Sequence, residues 1–323
     1  MARTETPRIA VTGAAGYIGS RVLVELQARH PDWEITAIDN FYEGRLGSVG
    51  DVGIDHVDIR DRRRLEDALS GAVVVLHLAA ISGVDDCDAD PDLAYEVNVQ
   101  GTDNVAWFCR QTGAALVFPF SMAVVGDPEQ FPITVDHPRD PVNWYGRTKL
   151  VSERSIDEFA AGAFPAHQYM ISNVYGRHAV DGTTVSKPTV VNFFVDRARS
   201  GEPLTVYEPG SQSRNFLHVT DVARAYVRSA ERLLAQRADG VTGVEKFELA
   251  SDEDPSVEAV ARLVQGAAVE RLGVDVPVTL VENPRADDET LVESFTVDTS
   301  AARERLGWEA ERTVTDAVEA AFE

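Results

Sequence analysis

The sequence predicts an α/β fold, a doubly wound parallel sheet with a smaller C-terminal α+β part. Three observations carry this. Short apolar runs alternate with helical patterns from residue 8 to about 176, a glycine-rich turn closes the first run, and the texture turns to loops and short helices thereafter. Strands alternating with helices imply parallel strands covered on both faces.

"RIAVTG" at 8 to 13 reads as a buried strand, Tyr17 to Arg29 as a helix and "EITAID" as a second strand, which together make a βαβ unit. The alternation continues through "DHVDIRD", "AVVVLHLAA", a helix from about Pro91 to Arg110, "AALVFPFS", a helix from Trp144 to Phe159, and "HQYMISNVYG". Beyond it, "GRHAVDGTTVSKPT" and "VYEPGSQSRNF" are loop-like and flank the apolar segment Val190 to Ala198. Helix 219 to 236 and strand "KFELA" return to the sheet texture, and 255 to 323 holds two or three helices and a short extended pair. The expected division is 1–176 with about 219–250 as a nucleotide domain, and about 177–218 with 251–323 as a substrate domain.

At 323 residues and 44% hydrophobic the chain buries a sizeable core. Its formal charge of −23 disfavours nucleic acid and anionic membranes as partners. Of 30 basic residues only Lys149, Lys187 and Lys246 are lysine; with so many carboxylates this composition resembles adaptation to a salt-rich cytoplasm. Lysine is scarce enough that each one counts as more than surface filler. Cys87 and Cys109 form no C-x-x-C pair and the histidines no ligand spacing, so neither a disulfide framework nor a metal site is expected. The start has no signal-peptide core and the longest apolar run is too short to span a bilayer, so a cytoplasmic protein is expected.

"TGAAGYIG" sets Gly13, Gly16 and Gly19, with Tyr17 and Ile18 between them, at the turn from first strand to first helix. There a diphosphate can approach the backbone and the helix N-terminus. Asp39, followed by Asn40, ends the second strand. A carboxylate there accepts hydrogen bonds from ribose hydroxyls and repels a 2′-phosphate, which favours NAD over NADP. Tyr145 and Lys149, four apart, share one face of a helix, and an ammonium beside a phenol lowers its pKa.

With "DIRD", "HLAA", "NVQGT", "SMAVVG", "YGRTK", "NVYG", "SRNFLHVTDVA" and "LGW" following in order, the sequence resembles the extended short-chain dehydrogenase/reductases, the nucleotide-sugar epimerase and dehydratase family. The resemblance implies a Rossmann-like fold. It also implies NAD bound by the glycine turn, with Asp58 and Ile59 along the adenine, Leu78, Ala79 and Ala80 passing the cofactor, and Asn98 ordering the active-site helix. Ser121 and Tyr145 would act on the sugar hydroxyl, Tyr145 as general base, while Lys149 holds the nicotinamide ribose and depresses the tyrosine pKa. Asn173, Val191 through its backbone, Tyr207, Arg214 and Arg285 match positions that hold uracil, ribose and diphosphate.

The chain also departs from the family pattern. Pro119 and Phe120 replace usual serines, Val125 a tyrosine, Met170 a frequent arginine and Asn215 a usual aspartate. Met122 and Ala123 follow Ser121 where dehydratases carry an Asp-Glu pair and decarboxylases a glutamate, which disfavours both chemistries. The resemblance thus implies an NAD-dependent sugar-nucleotide 4-epimerase of the UDP-glucose/UDP-galactose type. The rival is a sugar 1-dehydrogenase acting on free arabinose or galactose. The family's habit also implies a homodimer through the two helices at 91–110 and 144–159, for which Leu93, Val97, Val105, Phe108, Leu150, Ile156 and Phe159 are the candidate contacts.

Overall fold

The computed structural model describes residues 6–284, 286 and 289–323. In chain order the strands are β1 (Arg8–Thr12), β2 (Glu34–Asp39), β3 (Ser48–Val49), β4 (Val52–His56), β5 (Val74–His77), β6 (Ala115–Ser121) and β7 (Pro165–Ile171). There follow β8 (Asn173–Tyr175), β9 (His178–Val180), β10 (Thr183–Val185), β11 (Leu204–Tyr207), β12 (Phe216–His218), β13 (Gly243–Leu249) and β14 (Val278–Val281). The α-helices are α1 (Tyr17–Arg29), α2 (Arg62–Ala68), α3 (Val84–Ala89), α4 (Pro91–Tyr95), α5 (Thr102–Thr112), α6 (Trp144–Ala160), α7 (Val190–Arg199), α8 (Val219–Ala238), α9 (Val257–Leu272) and α10 (Val314–Ala321).

Among the described residues the central sheet runs β13-β7-β6-β5-β1-β2-β4-β3, parallel throughout except for the β3–β4 pair. Period-two alternation divides its core. Ile9 and Val11 face the side covered by α1 and α8, with Leu23, Leu26 and Tyr226, whereas Ala10 and Val75 face the side of α5 and α6, with Val105 and Ile156. Burying such a side chain contributes about 1.5–3 kcal/mol, so the two clusters hold the sheet between its helices. A third cluster, including Tyr175, Phe194, Val206, Val264 and Val318, ties α7, α9 and α10 to β11.

Strand order reverses between β1 and β5: β2 and β4 lie to one side, β6, β7 and β13 to the other. The carboxyl ends of β1 and β5 therefore part around a crevice, the place where doubly wound sheets bind ligands.

Three expectations change in detail. The stretch expected as one helix from Pro91 to Arg110 is α4 and α5 joined by a π-helical turn, Glu96–Gly101. "HQYMISNVYG" is two strands, because the chain leaves the main sheet after Ile171 and β8 pairs with β12 instead. The extended segment near the C-terminus is β14, whose partner is β11, so that pair is not local.

Candidate active site

A cavity of about 520 Å³ follows the crevice from the first glycine turn to the C-terminal loops. At one end Gly13, with φ of 70°, turns the chain from β1 into α1, and a Cβ there would lie 2.5 Å from the Ala79 backbone nitrogen. Only glycine allows both that conformation and that approach. Gly16 caps α1 without a side-chain hydrogen bond, and the first turn carries no acid, so the open N–H groups face the cavity. Asp39, 8% exposed, ends β2 with its carboxylate fixed by the Ala15 N–H at 3.0 Å and the Phe41 N–H at 2.7 Å.

Along the wall, Tyr17, Ile18, Gly19, Asn40, Ile59, Leu78, Ala79 and Ala80 all face the cavity. Thr12 shapes the wall at Leu78 and Ala79, accepting both N–H groups at 3.2 Å. Its hydroxyl then has one proton left, which it donates to His77 Nδ1 at 2.7 Å, while His77 Nε2–H donates to Thr102 at 3.0 Å. Burial lowers the His77 pKa to about 3, so this tie between β1, β5 and α5 stays neutral.

At the middle of the cavity stand Ser121, Tyr145 and Lys149. Ser121 ends β6, and its hydroxyl accepts from the Ala123 N–H at 3.2 Å. Asn143 caps α6 by accepting from Gly146 N–H at 2.9 Å, which sets Tyr145 and Lys149 on the first two turns. A Cβ on Gly146 would lie 2.6 Å from the Ala123 carbonyl, so the glycine lets the helix end rest on the loop after Ser121. Lys149 is buried, with Nζ donating to the Pro119 carbonyl at 3.3 Å and lying 5.0 Å from the Phe118 ring centroid and 5.9 Å from that of Tyr145.

The expected depression of the tyrosine pKa is not found. Burial raises Tyr145 to about 12, outweighing its hydrogen bond with Ser121. Burial also lowers Lys149 to about 8. Desolvation disfavours each charged form and is the largest cause of both shifts.

Behind the wall, Asn98 occupies the π-helical turn and does not reach the cavity. Its carboxamide accepts from Ile81 N–H at 2.9 Å and donates to Ile81 O at 3.0 Å and to Thr148 Oγ1 at 3.1 Å, while Ser152 donates to its carbonyl. The side chain thus ties the loop after β5 to α6. Beneath Phe120, Glu153 of α6 accepts from Arg139 at 2.8 and 3.0 Å and from Lys246 at 2.7 Å. This network anchors the loop before Tyr145 to β13.

The far end is less uniform. Asn173 lines the cavity and donates to the Asn215 carbonyl at 3.0 Å; Arg214, 9% exposed, lines it too but pairs with Glu289 at 2.7 Å. Val191 points into the core of α7, leaving Thr189 and Val190 at the wall. Tyr207, 37% exposed on β11, does not line the cavity, and Arg285 lies outside the described residues. Asp58 is likewise drawn off the wall: Arg60 and Asn40 take its carboxylate, and the Arg60 hydrogen bonds lower its pKa to about 2. Sequence reasoning missed Glu289 and Lys187, both at the wall. For Lys187 the scarcity of lysine was a signal; for Glu289, one acid among 53, there was none.

The donor set fits a dinucleotide: backbone N–H groups and a helix N-terminus for a diphosphate, a fixed carboxylate beside them for ribose, and Ser121, Tyr145 and Lys149 further along. No helix among the described residues is long and apolar enough to cross a membrane, and no group of three or more His, Cys, Asp or Glu side chains there could hold a metal.

Comparison with known proteins agrees. The sequence model of the family described as "NAD dependent epimerase/dehydratase family" matches residues 9–241. The UDP-glucose 4-epimerase of Halalkalibacterium halodurans is 29% identical over 93% of this chain and 90% of its own. The crystal structure of UDP-glucose-4-epimerase from Stenotrophomonas maltophila, with bound NAD and formylated UDP-arabinopyranose, superposes with a TM-score of 0.84 at 25% identity, covering 98% of this chain and 97% of that one. MoeE5 in complex with UDP-glucuronic acid and NAD superposes at 0.79 with 26% identity, covering 96% of each chain. A glycine turn, a fixed carboxylate and a serine, tyrosine and lysine along one crevice are thus accounted for together: the chain belongs to the NAD-dependent epimerase/dehydratase family and is an NAD-dependent enzyme on the extended short-chain dehydrogenase/reductase fold.

Proposed function

We propose that the enzyme epimerises a nucleotide sugar at C4, of the UDP-glucose/UDP-galactose type, through a transient 4-keto intermediate. One observation supports this above others: a single cavity joins Ser121, Tyr145 and Lys149 to Arg214 and the N-terminus of α7. A sugar at the first group and a diphosphate at the second is the shape of a nucleotide sugar.

NAD bound along this cavity would supply the hydride acceptor and donor. Ser121 holds the C4 hydroxyl by a hydrogen bond, and Tyr145 as phenolate takes its proton while C4 becomes a carbonyl. The sugar turns in the pocket, and Tyr145 returns the proton to the oxygen as the opposite face is reduced. Lys149 steadies the phenolate and would hold the nicotinamide ribose. Neither Met122 nor Ala123 offers an acid beside Ser121, so loss of water or of carbon dioxide has no general acid there.

The Arg214–Glu289 pair favours a second reading, because an arginine already answered by a carboxylate is less ready for a diphosphate. On that reading the enzyme is a sugar 1-dehydrogenase that oxidises free arabinose or galactose. The purified protein separates the two. Stoichiometric bound NAD and interconversion of UDP-glucose and UDP-galactose without net NADH support the epimerase; an empty protein that reduces added NAD with a free aldose establishes the dehydrogenase.

We further propose that residues 1–176 and about 219–250 bind the cofactor and that about 177–218 and 251–323 bind the substrate. A homodimer would form through α4, α5 and α6. Val97, Val105, Phe108 and Ile156 are buried in the protomer's own core, so the contact falls to exposed Tyr95 and Val151 with half-buried Leu93, Trp107, Leu150 and Phe159 around them. Light scattering in molar KCl should return about twice 35.2 kDa; a monomer would exclude this contact.

A further inference from the structure

Two ammonium groups enter the cavity, and only one belongs to the catalytic tyrosine. Lys187 lies in the loop between β10 and α7 and reaches across the crevice to Ser82, beyond the cofactor-facing wall after β5. Its Nζ donates to the Ser82 carbonyl and the Ser82 hydroxyl, both at 2.6 Å. Among the described residues no carboxylate lies within ion-pairing distance of it, whereas Lys246 ends on Glu153 and Asp157, and Arg214 on Glu289. Among the described residues Lys187 therefore offers the cavity a charge with no carboxylate in contact with it.

Its place along the cavity follows from its partner. Ser82 succeeds Ile81, which Asn98 ties to Thr148, whose hydroxyl donates to the Tyr145 carbonyl, so Lys187 reaches toward the end where Tyr145 stands. The diphosphate has other donors, namely the α7 N-terminus and Thr189, whose buried hydroxyl oxygen has no hydrogen-bond partner at the same wall. A protein of net charge −23 repels anions at long range and must meet one with a local cation.

We infer that Lys187 is a specificity-determining residue that pairs with a carboxylate on the sugar, so that the preferred substrate is a nucleotide-linked uronic acid. On binding, the ammonium exchanges the two neutral Ser82 oxygens for a charged one, a stronger class of hydrogen bond. This rests on the nucleotide-sugar reading above. A neutral hexose, with a hydroxymethyl in place of the carboxylate, forgoes that exchange.

The test compares UDP-glucuronate with UDP-glucose. Wild type should turn over the uronate with kcat/KM about tenfold or more above the neutral sugar. Lys187→Gln should bring the ratio near one, and Lys187→Arg should retain most of it. Equal use of both sugars by wild type, or a ratio unmoved in Lys187→Gln, overturns the inference while leaving the epimerase reading in place. Should Lys187→Gln not fold, the wild-type ratio and Lys187→Arg decide. Calorimetry with UDP alone separates the remaining source of negative charge: a loss of UDP affinity in Lys187→Gln assigns the ammonium to the diphosphate and overturns the sugar assignment. A wild type that neither binds UDP nor acts on either sugar removes both this inference and the reading beneath it.

Discussion

The proposed cofactor half of the cavity and the proposed substrate half are built by different means. The first is made of strand ends, each held by a backbone N–H: Gly13 after β1 by the Gly16 N–H on its carbonyl, Asp39 on β2 by the Ala15 N–H on its carboxylate, and Ala79 after β5 by its own N–H on the Thr12 hydroxyl. The second is made of side chains from loops scattered between residues 173 and 295, and its main cation is paired within the protein. A site fixed by backbone is ready for its ligand, whereas one fixed by ion pairs must exchange partners to bind. Conversion should therefore fail outright when the shared centre is cut, change selectivity when the cofactor half is altered, and gain affinity when the substrate half is relieved.

Tyr145→Phe tests the centre and should have the largest effect. General acid–base catalysis is typically worth ~10²–10⁴-fold, so turnover should fall by that range while NAD binding stays near wild type. Turnover within threefold of wild type would remove Tyr145 from the chemistry. Because burial holds the free phenol near 12, wild-type activity should also rise with pH above neutrality rather than fall.

Asp39→Ala probes the cofactor half. Loss of the carboxylate removes both a ribose acceptor and the clash with a 2′-phosphate, so the preference for NAD over NADP should shrink by about tenfold or more. A wild type that binds the two cofactors equally would contradict the role assigned to this strand end.

Glu289→Gln addresses the substrate half in the opposite direction. The carboxylate holds Arg214 at 2.7 Å and accepts from Asn283 at 3.1 Å, and its neutral analogue should free the guanidinium. UDP affinity by calorimetry should rise several-fold, roughly 1 kcal/mol. Unchanged or weaker binding would mean that the pair positions Arg214 rather than competing for it.

The smallest effect is expected at Glu248, on β13 under the loop that leads to Tyr145. One carboxylate oxygen accepts from Val135 N–H at 2.6 Å, and the other is buried without a partner. Burial raises its pKa, so its contribution to stability is fully present below the unfolded pKa and is lost as pH rises through the folded one. Glu248→Gln should melt roughly 2–4 °C above wild type at pH 8 and lose that advantage in acid. A melting difference independent of pH would assign the effect to packing.

The same contrast explains what the sequence made legible. The cofactor half follows from local rules, a glycine turn after an apolar run and an acid at the next strand end, and the structure sets Gly13 and Asp39 on one crevice. The pair Tyr145 and Lys149 was readable from helical spacing, but the sign of the tyrosine shift was not, because burial depends on the whole cavity. Met170 beside Glu248 shows the limit differently. The departure from arginine was visible, yet the carboxylate it leaves across the strand pair becomes apparent only from the register of β7 and β13. Glu289 and Lys187 act across loops more than 70 and 100 residues from their partners, beyond the reach of any periodic pattern.

The π-helical turn at Glu96–Gly101 amounts to one residue inserted into an α-helix. Deleting a single residue there would let the helix close into regular turns while rotating Asn98 about 100° from the loop it clamps. Fold and chemistry would part company: a well-folded chain with a loosened Tyr145. An insertion of one residue thus behaves as an adjustable joint, through which changes in chain length, with no change in side chains, could tune the enzyme's turnover.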